Sequence, residues 1–223
     1  MKLTRRLLLG AAAALTAVSL TAPQVLAQKA GGTVVVLLGS NTRTLNPAVQ
    51  SGTPAGIPGS QIFASPLKYD ENWNPQPYLA KSWEISDDGL SVTLHLVETA
   101  TFHDGHPITS EDVAFSIATI KANHPFKTMF GPVETVETPD AHTAVIKLSQ
   151  PHPAIMLALS GPLCPIIPKH IFDDGQDMKT HPRNTENVVG SGPFMWKASR
   201  RNNWFWSRTR TSSSKGGPIS TRS

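Results

Sequence analysis

Residues 77–116 read PYLAKSWEISDDGLSVTLHLVETATFHDGHPITSEDVAFS, and the fold of the surrounding chain is decided there. Leu90, Val92, Leu94 and Leu96 alternate with Ser91, Thr93 and His95, the two-residue period of a strand with one buried face. Trp83 and Ile85 alternate with Glu84 and Ser86, which places a second strand just upstream. Asp87-Asp88-Gly89 joins the two, a short hairpin connection with glycine where a positive φ is needed. After Phe102 the chain turns again at Asp104-Gly105. Thr109-Ser110-Glu111-Asp112 then has the pattern of a capping box, with acids at the positive end of the helix dipole. A helix is predicted to about Asn123, burying Val113, Ile117 and Ile120 and ended by His124-Pro125.

Four phrases follow one another along the chain: Leu79-Ala80-x-Ser82-Trp83, Asp88-Gly89, Phe102-His103-Asp104-Gly105, and Thr109-x-x-Asp112-Val113-x-Phe115-Ser116. In that order they resemble the extracellular solute-binding proteins of family 5, which serve peptide, oligopeptide and nickel ABC importers. One departure stands out: Leu96-Val97-Glu98-Thr99 occupies the place of the family's usual Leu-Arg-x-Gly turn. The resemblance runs from about Gly32 to Lys197 and implies an α/β, periplasmic-binding-protein-like fold of the two-lobed class II type. Residues 28–198 would supply the start of lobe I and the family's small extra domain. Intact members are more than twice as long, so the second lobe, with the side chains that clamp a peptide's termini, would be missing.

Further phrases extend the likeness. Thr33-Val34-Val35-Val36-Leu37-Leu38 is a continuous apolar run, read as a buried strand, that delivers a polar loop from Gly39 to Arg43. In the resembled family this loop faces the ligand cleft, and Leu45-Asn46-Pro47 completes a family phrase. Ser40, Asn41 and Arg43 are therefore the candidate ligand-binding residues, set against an equally weighted reading as a solvated turn chosen for its backbone. Gly52 to Gly59 reads as a Gly- and Pro-rich lead into a short helix at Gln61 to Ala64. Val133 to Leu148 reads as a second hairpin turning at Pro139-Asp140-Ala141, and Ala154 to Ser160 as a short helix. Ile167-Pro168-Lys169-His170 and the glycine-rich Val189 to Phe194 are similar to later phrases of the family. The glycines are read as sites of close backbone packing, since no phosphate-cradle signature accompanies them.

Met1 to Ala27 has the form of an export leader: Lys2, Arg5 and Arg6, an apolar run from Leu7 to Leu20, and a cleavage site ending at Ala27. The run is shorter than the roughly 20 residues that span a bilayer. A periplasmic location is expected, by the general or the twin-arginine route, and no cysteine follows the apolar run to carry a lipid. Cys164 is the one cysteine and sits in an apolar setting, as expected of an inert thiol rather than a nucleophile.

The chain carries 20 Lys and Arg against 16 Asp and Glu. Three of those cations lie in the leader and six beyond Ser199, leaving 11 against all 16 acids and a net of −5 in between. Nucleic-acid binding thereby loses its compositional support. His103-x-x-His106 is the closest histidine pair, but Asp104-Gly105 turns the chain between them and no carboxylate or cysteine cluster completes a site. The pair is read as shaping the turn, with no metal and no cofactor. No Gly-x-Ser-x-Gly phrase occurs, and an enzyme is not expected. Trp73, Trp83, Phe102, Phe115 and Phe126 are read as core.

Beyond Ser199 the hydrophobic period stops, Arg, Ser and Thr dominate, and residues 199–223 read as an aberrant, disordered tail produced by a slipped frame. Read one nucleotide earlier, Asn203-Trp204-Phe205-Trp206 forces Leu-Val-Leu. Ser207 to Thr221 then permits a string similar to the family's next phrase. The expected function is the substrate-binding component of an ABC importer for peptides, acting as a monomer with a cognate inner-membrane permease. The chain as written is expected to bind little or nothing. Nickel chelates, haem or another small solute are the alternative ligands, and a chaperone-like interaction fragment is the alternative class.

Overall fold

The computed structural model describes residues 35, 36, 38, 40–200 and 203–208. The leader at 1–27, Gly39 and the tail beyond Arg208 lie outside the described residues. A helix α1 (Thr53–Ile62) comes first, then a ribbon of β1 (Leu67–Tyr69) and β2 (Pro75–Pro77). The ribbon leads into the hairpin expected at 80–96: β3 (Ala80–Ile85) runs antiparallel to β4 (Ser91–Leu96), with Ile85 opposite Val92. Gly89 takes φ +68° in the connection and Gly105 φ +92° in the next turn, as their places in the sequence require. The departure at Leu96 to Thr99 still closes a turn, because the Ala100 amide donates to the Val97 carbonyl at 3.1 Å.

The capping box forms at the start of α2 (Ser110–Asn123). The Thr109 amide and hydroxyl donate to Asp112 Oδ2 at 2.9 and 3.0 Å. His124 leaves helical geometry and ends the element. The second hairpin, β5 (Val133–Asp140) and β6 (Thr143–Leu148), joins the first in one antiparallel sheet of order β3-β4-β6-β5. Its turn falls at Ala141-His142, one step later than predicted, with Asp140 Oδ1 accepting the His142 amide at 2.8 Å. Pro139 stays inside β5 because β5 is an edge strand, where a missing amide costs no ladder bond.

Val92, Leu94 and Leu96 of β4 share a buried face with Ala144, Ile146 and Leu148 of β6. Helix α2 packs on β5 and β6 and adds Val113, Ile117 and Ile120 to the core. Ile85 and Leu90, at the hairpin end, stay 52% and 36% exposed. Two short helices follow, α3 (Ile155–Ala158) and α4 (Lys169–Phe172), and then a hairpin of β7 (Phe194–Arg200) and β8 (Asn203–Arg208).

Several expectations are corrected. The Gly- and Pro-rich stretch 52–59 is not a lead-in but most of α1 itself. Pro54 is tolerated in the first turn, whereas Pro58 offers no amide to the Pro54 carbonyl, and the Thr42 hydroxyl donates there instead at 2.8 Å. The buried strand expected at 33–38 is not seen in its described residues: Val35 and Val36 are 78% and 50% exposed and carry no ladder. Trp73 and Phe126 are exposed rather than core, while Phe102 is fully buried. Disorder does not begin at Ser199, because 203–208 is a strand with Trp206 opposite Trp196. Aromatic residues favour strands, which suits Trp196, Phe205 and Trp206 to this ladder.

Candidate functional site

Ser40, Asn41 and Arg43 are all exposed, on a loop held at its middle and at its C-terminal end. Thr42, between them, is tied to α1 through the Pro54 carbonyl. Immediately beyond, Leu45 donates its amide to the Asn184 carbonyl at 2.9 Å, and Asn46 Nδ2 donates to Asn184 Oδ1 at 2.9 Å. Asn46 Oδ1 also accepts the Ala48 amide, and Asn46 and Asn184 are both buried. Gly59 of α1 lies against this phrase so closely that a Cβ there would meet the Pro47 ring at 2.6 Å. Polar side chains thus project from a rigid base, with a guanidinium suited to carboxylates and an amide suited to peptide groups.

A second junction ties the Phe102 to Gly105 turn to the glycine-rich segment. The His103 amide donates to the Gly190 carbonyl at 2.8 Å, and the Gly190 amide donates to His103 Nδ1 at 3.2 Å. Nε2 therefore carries the hydrogen and donates to the Gly192 carbonyl at 2.9 Å. Burial holds the His103 pKa below its ordinary value, keeping the ring neutral in this role. Gly190 and Gly192 pass directly beneath the end of α1, where added Cβ atoms would lie 2.0 and 2.5 Å from the Ile62 and Gln61 carbonyl oxygens. The expectation of close backbone packing is met, and His103 is a latch in it.

His106 takes a different course. His106 Nδ1 lies 3.3 Å from Asp104 Oδ1, and His170 Nε2 lies 2.8 Å from Asp104 Oδ2. The two imidazoles stack with centroids 4.0 Å apart. Burial alone would raise the Asp104 pKa, but the His170 bond, the His106 amide and the two rings together bring it below its usual value. The cluster borders a recess of 380 Å3 lined also by Thr109, Glu111, Asp112 and Asp173. Reading the sequence paired His106 with His103. His170, on α4, was the missing partner, and the Pro168-Lys169-His170 phrase was its one visible signal. A larger recess of 840 Å3 lies between α2 and β5, and neither recess reaches the loop at 40–43.

Over residues 74–209 the sequence matches the bacterial extracellular solute-binding proteins, family 5 middle region. It is 34% identical over 121 residues to a putative ABC transporter peptide-binding protein of Brucella ovis, covering 52% of this chain and 22% of that protein. It is 30% identical over 165 residues to the glutathione-binding protein GsiB of Escherichia coli O1:K1, covering 72% of this chain and 31% of that protein. Among solved structures, NikZ from Campylobacter jejuni in complex with Ni(L-His) superposes with a TM-score of 0.69 at 29% identity, over 76% of this chain and 34% of that one. The chain thus spans between 22% and 34% of the length of these relatives.

Proposed function

The chain belongs to the bacterial extracellular solute-binding proteins of family 5, and from that premise we propose that it supplies one wall of the ligand cleft of a peptide receptor serving an ABC importer. The observation that carries this reading is the exposed Ser40, Asn41 and Arg43 loop, pinned through Thr42 to α1 and through Asn46 to Asn184. Arg43 would receive a ligand carboxylate, and Ser40 and Asn41 would bond its amide groups. Two lobes closing on the solute supply the rest of the cleft, so this wall by itself holds a peptide weakly. The expected leader at 1–27 delivers the protein to the periplasm, where it meets a cognate permease, and its role is binding rather than catalysis.

Calorimetric titration with di- to pentapeptides tests this. The 223-residue chain alone is expected to give no saturable heat. Joined in frame to the segment that follows in its relatives, it is expected to bind with saturation; Arg43→Ala should weaken that binding about 10-fold or more, the size of one charge-assisted bond, and Asn41→Ala by about 5-fold, the size of a neutral one. Saturable binding by the chain alone, or a joined protein indifferent to both substitutions, would remove the proposal.

A further inference from the structure

We propose that Asp104, His106 and His170 form a binding site for a late first-row divalent transition ion. Two imidazoles and one carboxylate offer one ligand atom each, and all three atoms lie within 4.8 Å of one another. Ligands about 2.1 Å from a tetrahedral ion stand about 3.4 Å apart, so seating one requires the two stacked imidazoles to turn and draw in toward the Asp104 carboxylate. This donor set suits zinc, nickel or copper and disfavours magnesium and calcium, which take oxygen ligands.

The scaffold on both sides is fixed before any ion arrives. Asp104 and His106 flank Gly105, and the His106 amide donates to Asp104 Oδ1 at 3.2 Å, which sets the turn. His170 comes from 66 residues away and rests edge-on against the fully buried Phe102, ring centroids 5.6 Å apart. Its neighbour Lys169 donates its amide to Asp112 Oδ1 at 3.0 Å, fixing the start of α4 against the start of α2. Glu111, Asp112 and Asp173 line the same recess, with Lys169 the cation among them and already paired to Glu111 at 2.9 Å. The recess is net acidic and attracts a dication. It also leaves the remaining coordination positions open to water or to a small chelating ligand.

The full chain, stripped with a chelator, is titrated by calorimetry with zinc chloride and nickel chloride, and its Tm is followed in parallel. One saturable equivalent and a rise in Tm are expected. His106→Gln is the primary variant, because that side chain is 60% exposed and its loss leaves the core intact. His106→Gln, His170→Gln and Asp104→Asn should each lower metal affinity at least 10-fold, since even an outer-shell partner is worth about 10–100-fold, and the Tm of His106→Gln in chelator should be unchanged. His95→Gln and His152→Gln should bind as the parent does. Absence of saturable binding in the parent chain, or a His106→Gln variant that binds as the parent does, overturns the assignment.

Discussion

Gly190 packs against the end of α1 while His103 holds it in place. Gly190→Ala would drive a Cβ to 2.0 Å from the Ile62 carbonyl oxygen, a backbone contact that no rotamer change relieves. Overpacking of this kind costs about 2–4 kcal/mol, and urea unfolding of the variant should show it as a lowered midpoint; an unchanged midpoint would contradict the close crossing. Two histidines set the acid response. His103 and His124 both have folded-state values below the ordinary 6.5 because burial penalises the charged ring. The unfolded chain therefore takes up these protons first. Stability from them is complete above 6.5 and falls as the pH drops from there toward the folded values. His124→Asn keeps an acceptor for the Phe126 amide, which His124 Nδ1 now receives at 3.0 Å, and removes one titrating group. Its Tm should decline less steeply with acid than the parent's, and equal slopes would refute the assignment to His124.

At the level of elements, α2 could be read directly because its signals are local. Thr109 and Asp112 are three residues apart, and the box they close depends on little beyond that spacing. What spacing could not show is the second use of Asp112, whose Oδ1 receives the Lys169 amide from α4 at 3.0 Å. Asp112→Ala should therefore cost more than a lost cap, about 2–3 kcal/mol by adding an unpaired amide, and circular dichroism melts against Thr109→Ala would separate the two contributions. Helix α1 illustrates the reverse case. Pro54, Gly56, Pro58 and Gly59 argue for a loop on propensity, yet the helix holds because Thr42 supplies the donor that Pro58 lacks and Gly59 lets Pro47 approach. Neither compensation is visible without the partner's position.

For the whole molecule, residues 203–208 bring two readings together. As written, the Trp204-Phe205-Trp206 stretch pairs with β7; read one nucleotide earlier, the same codons give Leu-Val-Leu, which is equally strand-forming. We propose the slipped frame as the origin of the basic composition beyond Ser199. Sequencing the coding DNA across Lys197 to Asn203 should reveal a displaced downstream frame, and a single intact frame in fresh clones would end the proposal.

The sequence by itself determined the sheet hairpins, the capped helix and the family, because each rests on residues within a few positions of one another or on phrases in a fixed order. Turn glycines, alternating apolar residues and capping pairs act over one or two turns of chain, and the chain carries them wherever it goes. Only the tertiary structure decided which distant groups meet: Asn46 with Asn184, His103 with Gly190, and His170 with Asp104 and His106. Those encounters follow from how sheet, helices and glycine segment close around a shared core, and a one-dimensional pattern does not encode the distance between elements that core packing brings together.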